Sequence, residues 1–151
     1  MLLINSLVSG MSSMVSASSE NLLQYGDFEQ WDGNLPTGWN GNTSNLNTND
    51  ISKVEGNAQS GNASVRLTNS LTTAKRFSSK PITLVGGARY TLTYWVKGSG
   101  EIRNGYYADD YSAYSSYTTV NSGDWKKIVY TFTLGLDKEV VELIFGLRKS
   151  L

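Results

Sequence analysis

Three observations predict an all-β sandwich or barrel for this chain. Short runs rich in β-branched and aromatic residues alternate apolar with polar side chains, the repeat of a half-buried strand. Clusters of Gly and Asn break those runs at short intervals. No segment of useful length spaces its apolar residues as a helix does. At 151 residues the chain fits one domain and can bury a core without disulfides or metals.

Residues 1–20 form a separate first segment, an apolar arm without a charged side chain before Glu20. Leu2 to Val8 followed by Val15-Ser-Ala17 has features of a secretory signal with a small-residue cleavage site. No Lys or Arg precedes it, however, and Asn5, Ser6, Ser9 and Gly10 interrupt it. The second reading is an arm that packs on its own domain or on a partner.

The main unit is expected over residues 21–151. Asn21 to Glu29 reads as a strand entering a turn. The loop Asp32-Gly-Asn-Leu-Pro-Thr-Gly38 delivers Trp39. Further strands are expected at Ile51–Glu55, Ala63–Thr68, Ala74–Ser79 and Pro81–Val85, the last pair separated by Lys80-Pro81, where proline favours an edge or a bend. Tyr90 to Tyr107 reads as a hairpin turning at Gly98-Ser99-Gly100. Leu92, Tyr94, Val96, Ile102 and Tyr106 then share a core face. Trp95 stands opposite Arg103 on the other, with Tyr107 beyond. Ala108 to Val120 is expected to be a Tyr-, Asp- and Ser-rich loop. Trp125–Leu134 and Val140–Leu147 complete the strands, the second with Val141, Leu143, Phe145 and Leu147 on one face.

Composition removes several classes of chemistry. The net charge is zero, and no basic stripe marks a nucleic-acid partner. The chain has no Cys and no His. Thiol catalysis, Cys-ligated zinc and the commonest general base are therefore excluded. Composition argues against an enzyme. No stretch is long and apolar enough for a membrane span.

Five landmarks occur in order: Asn21-Leu-Leu-Gln-Tyr-Gly-Asp-Phe-Glu29, Leu35-Pro-Thr-Gly-Trp39, Ser60-Gly-Asn-Ala-Ser-Val-Arg-Leu67, Tyr90-Thr-Leu-Thr-Tyr-Trp-Val-Lys97 and Trp125-Lys-Lys-Ile-Val-Tyr-Thr-Phe-Thr133. Together they resemble the carbohydrate-binding module superfamily of families four, nine and twenty-two, in the form common on Bacteroidetes surface proteins. The resemblance covers about residues 21–148. It implies an antiparallel two-sheet jelly-roll β-sandwich of the galactose-binding-like type. It also implies a non-catalytic polysaccharide or glycan site, an extracellular or cell-surface location, and often a structural calcium. Two departures stand out. The acidic closing strand of the family is not seen before Leu151, and the N-terminal arm is additional. Leu2 to Val8 is expected to take the vacant strand position, in its own domain or in a second copy.

The expected ligand contacts are Trp95, Arg103, Tyr107, Asp109, Asp110, Tyr111, Tyr114 and Tyr117. Sugar rings present an apolar C–H face to aromatic planes, while their hydroxyls bond to charged or amide groups. The bland alternative packs Trp95 and the tyrosines under the loop as a lid, with Arg103 in a cation–π contact. Glu29, with Ser60, Gly61 and Asn62, matches the calcium position that the resemblance implies. One carboxylate falls short of the oxygen set of a hard cation, and Asp27 is a candidate to complete it. Otherwise Glu29 bonds to loop amides. Two rival readings stay open. One is a structural, adhesion or virion-decoration subunit that docks through residues 1–18 into a homo-oligomer or a larger assembly. The other is a small glycan-active enzyme using Asp109-Asp110 with Glu101.

Overall fold

The computed structural model describes the backbone of residues 1–12 and 21–150 and the side chains of 1–4 and 21–150. The signal-like Val15-Ser-Ala17 and the boundary at residue 20 lie outside the described residues. Eleven strands follow in order: β1 (Leu2–Ser12), β2 (Trp31–Asp32), β3 (Leu35–Pro36), β4 (Ile51–Glu55), β5 (Ala63–Leu67), β6 (Lys75–Ser78), β7 (Ile82–Thr83), β8 (Arg89–Ala108), β9 (Tyr111–Tyr114), β10 (Thr118–Thr133) and β11 (Val140–Arg148). Nine of them form one curled antiparallel sheet ordered β4-β5-β1-β8-β11-β6, with β9 and β10 paired to β8 and β7 to β11. β2 and β3 pair separately. The architecture is the all-β jelly-roll sandwich.

Its core is aromatic. Trp39 stacks on Phe77 at 5.1 Å and on Phe145 at 5.6 Å between ring centroids. Phe28 tilts against Trp39, and Tyr94 meets Phe145 edge-on. The period of two delivers these rings: Val141, Leu143, Phe145 and Leu147 all point inward and are buried, as expected. Trp39, Phe28 and Phe132 are packing residues.

The expected hairpin over Tyr90–Tyr107 does not form. β8 runs unbroken through Gly98-Ser99-Gly100 for 20 residues. Trp95 therefore does not face Arg103. The two lie eight positions apart on one strand, about 26 Å at the usual rise. The glycines serve backbone conformation and close approach, not a turn. Gly98 and Gly100 have φ of 117° and 150°. A Cβ on Gly98 would collide with the Met1 carbonyl, and one on Gly100 would stand 2.7 Å from Ser150 Cβ. The period of two cannot tell a straight strand from a folded one here, because both put Leu92, Tyr94, Val96, Ile102 and Tyr106 inward, where they are buried.

Two other expectations change. Asn21 to Glu29 is a run of turns, with Asn21 and Asp27 side chains accepting from the amides of Leu23 and Glu29. Short polar side chains that bond their own backbone compete with strand pairing. The 108–120 loop is instead a hairpin: β9 returns along β8 from a turn at Asp109, whose φ is 56°.

β5 and β8 each run antiparallel to β1, so they are parallel to one another with a lane between them. Leu2 to Ile4 fill that lane in their own domain, and the strand continues along β8 to Ser12. Leu2 pairs with both Leu67 and Gly98, and Ser150 enters the same lane two residues along, pairing with Asn69. Leu2, Leu3 and Ile4 are buried there. Ile4→Ala is expected to cost about 2–5 kcal/mol in urea unfolding. Val129→Ala, on an exposed strand face, should change stability by less than about 0.5 kcal/mol. Equal midpoints for wild type and Ile4→Ala would remove β1 from the lane.

Candidate functional site

Along β8 every second side chain points away from the core, and this outward face carries two separate clusters. The first holds Trp95, half-buried, and the Lys97 ammonium 4.8 Å from the centre of the Trp125 ring. Trp125 lies in an irregularity of β10 between Ser122 and Lys126, which brings its ring beside Lys97. Lys97 also donates to Asn57 Oδ1.

The second cluster gathers more of the expected residues. The Arg103 guanidinium carbon stands 4.1 Å from the Tyr114 ring centre and 4.9 Å from that of Tyr117. Arg148 lies 3.8 Å from the Tyr117 ring centre. Glu101 pairs with Arg148 and, at 3.1 Å, with Lys149. Cations over aromatic faces gain from the ring quadrupole, and each contact fixes the orientation of a long side chain.

Glycines make room for this arrangement. Gly105 pairs with Ile144 on one side and Tyr114 on the other, and Gly146 pairs with Arg103. A Cβ on Gly105 would press into the Tyr114 ring at 2.5 Å. One on Gly146 would lie 3.0 Å from Arg103 Cγ and Nε. The ring and the guanidinium thus lie flat across strand backbone. Ser115 holds the chain leaving β9. Its amide donates to the Asn104 carbonyl and its hydroxyl accepts from the Asn104 amide. That clamp returns Tyr117 over Arg103.

The remaining expected residues surround the hairpin tip. Tyr107 and Tyr111 are 36% and 52% exposed. Asp109 makes the turn, and Asp110 pairs with Lys138 at 2.8 Å. The hydrogen bond from Lys138 holds the Asp110 carboxyl below its ordinary range, and those from Arg148 and Lys149 do the same for Glu101. A general acid needs the opposite shift. Glu101 and Asp110 are also nine positions apart along the strand and its turn, far beyond the roughly 5–9.5 Å of paired glycosidase carboxylates. Burial pushes Tyr130, on the inner side of β10, up to about 12.

Sequence reasoning missed Arg148, Lys97 and the pairing role of Glu101. Arg148 was findable, because it falls out of phase with the inward Val141, Leu143, Phe145 and Leu147.

Glu29 is satisfied by the backbone. Its Oε1 accepts from the amides of Asn62 at 2.8 Å and Ala63 at 2.9 Å, and the left-handed Gly61 carries the turn past it. Donors facing that oxygen are N–H groups, whereas calcium takes about six to eight oxygens. Among the described residues no three metal-ligating side chains cluster. The arrangement as it stands does not fit a calcium cage.

Comparison with known proteins follows this geometry. A family model described as a carbohydrate binding domain matches residues 20–151. Among solved structures, the chain is similar to one titled Family 16 Carbohydrate Binding Module-2, at 17% identity and a TM-score of 0.44, covering 64% of this chain and 73% of that one. No curated protein matches.

Glu29→Ala removes a charged acceptor bonded to two backbone amides and should cost about 1–3 kcal/mol. Chelation with EDTA should leave the wild-type melting temperature unchanged. A fall with EDTA that calcium restores, and that Glu29→Ala abolishes, would make calcium a ligand of this turn.

Proposed function

This chain belongs to the carbohydrate binding domain family, and from that premise we propose that it binds a polysaccharide without transforming it, on the outward face of β8. One observation carries the reading: Arg103 is held over Tyr114 and beside Tyr117, above a floor of Gly105 and Gly146. Such a surface offers ring planes for the C–H face of a sugar and fixed N–H donors for its hydroxyls. Side chains already held in place lose little freedom on binding.

Tyr107 and Tyr111 extend the surface toward the hairpin tip, where Asp109 and Asp110 supply acceptors. Trp95 on β8 and Trp125 on β10, beside Lys97, form a second aromatic area, too far away to stack on the same sugar as Arg103. A non-catalytic role agrees with carboxylates that are held ionised and apart. Extracellular or surface placement belongs to the same proposal, since that is where polysaccharides are met. Among the described residues no helix is long and apolar enough to cross a membrane. Structural calcium enters only through the chelation test on Glu29. An arm that docks on a second copy competes with the pairing in which Leu2 to Ile4 fill their own lane.

Affinity electrophoresis against a panel of soluble polysaccharides tests the reading. Wild type should be retarded by at least one polymer, and Tyr114→Ala or Tyr117→Ala should weaken that binding about tenfold. Trp95→Ala should leave it unchanged. If Trp95→Ala or Trp125→Ala alone abolishes retardation, the site moves to the other cluster. If no polymer binds, the reading fails.

A further inference from the structure

The charge on this face says more about the ligand than its shape does. Resting on the carbohydrate-binding reading, we infer that the polymer recognised beside Arg103 is acidic, carrying uronate carboxylates or sulfate esters. The chain as a whole has no net charge, yet three of its five arginines, Arg76, Arg103 and Arg148, lie on this one face. Gly146 pairs with Arg76 on β6 and with Arg103 on β8, so the two arginines flank a position without a side chain. Directly paired residues point to the same side of a sheet. Their backbones are two strand spacings apart, about 10 Å.

The two carboxylates that β8 and β11 carry on this face are already engaged, and at the hairpin tip Asp110 is paired with Lys138. Glu101 is paired with Arg148 and Lys149. Glu142 is buried and accepts from the amides of Asn42 and Thr43 and the hydroxyls of Thr43 and Ser78. Arg76 donates from Nε to the Thr43 carbonyl. Among the described residues, neither Arg76 nor Arg103 has a carboxylate within ion-pair distance, and Arg103 Nε is buried without an acceptor. With Nε buried, a guanidinium pressed flat on aromatic rings keeps its two terminal NH2 groups for a partner at its edge. Planar, paired donors of this kind suit a carboxylate or sulfate bound through two oxygens. A neutral sugar leaves that charge unmatched.

The test is affinity electrophoresis of the full chain against a polyuronate, a sulfated galactan and a neutral xylan, at about 0.05 M and about 0.5 M salt. An acidic polymer should bind, and high salt should weaken it about tenfold. The uronate and sulfate arms tell which acid group is read. Arg103→Met and Arg76→Met should each reduce binding severalfold at an unchanged melting temperature, while Arg103→Lys keeps part of it. The exposed Lys80→Gln/Lys126→Gln pair, outside this face, should have no effect. Binding confined to xylan and insensitive to salt would overturn the acidic assignment and leave the sugar reading intact. An equal loss in the lysine pair, or tighter binding to a single-stranded oligonucleotide than to any polymer, would overturn it too. Binding to no polymer would remove both readings together.

Discussion

The structure depends on one strand that does not turn. β8 passes through Gly98-Ser99-Gly100 without turning, its two glycines at positive φ, and pairs with β1, β9, β10 and β11 along its length. The two glycines allow this because neighbouring backbone at Met1 and Ser150 comes too close for a side chain. A strand of this length fixes the spacing of everything it carries. Alternate residues from Tyr90 to Tyr106 line the core, and those from Trp95 to Tyr107 display chemistry outward. The lane between β5 and β8 follows from the same geometry. The gap between two parallel strands leaves both edges open to a further strand, and Leu2 to Ile4 of β1 fill it, antiparallel to each.

The outward chemistry is organised by what is missing from the backbone as much as by what is present. Gly105 and Gly146 leave bare strand, so Tyr114 and Arg103 lie down instead of standing up. The hairpin turn at Asp109 and the Ser115–Asn104 clamp bring Tyr117 back over Arg103. Ion pairing of Glu101 and burial of Glu142 then leave the arginines as the available charge. Rigid aromatic and guanidinium planes with unspent donors form a surface suited to binding and not to proton transfer.

Much of this was legible in the sequence. The alternation in β8 and β11 gave the core face, and the density of Tyr after Tyr106 marked the right neighbourhood. Arg103, Tyr114 and Tyr117 do meet. The register could not be read, because a Gly-Ser-Gly in a period-two run fits a turn and a close backbone approach equally well. Trp95 was misplaced beside Arg103 for that reason alone. Arg148 could be placed on the outward face by its phase in β11, but Arg76 was invisible as a site residue, since only the order of β6, β11 and β8 brings it alongside Arg103.

The path of β8 is the claim on which both clusters rest, and it can be measured as a single distance. The chain has no native Cys, so spin labels on Thr91→Cys and Tyr107→Cys report only the introduced pair. By double electron–electron resonance an unbroken strand places them on the order of 50 Å apart. A hairpin turning at Ser99 would pair the two positions directly, at about 5 Å between Cα atoms, and a distance that short would contradict the account.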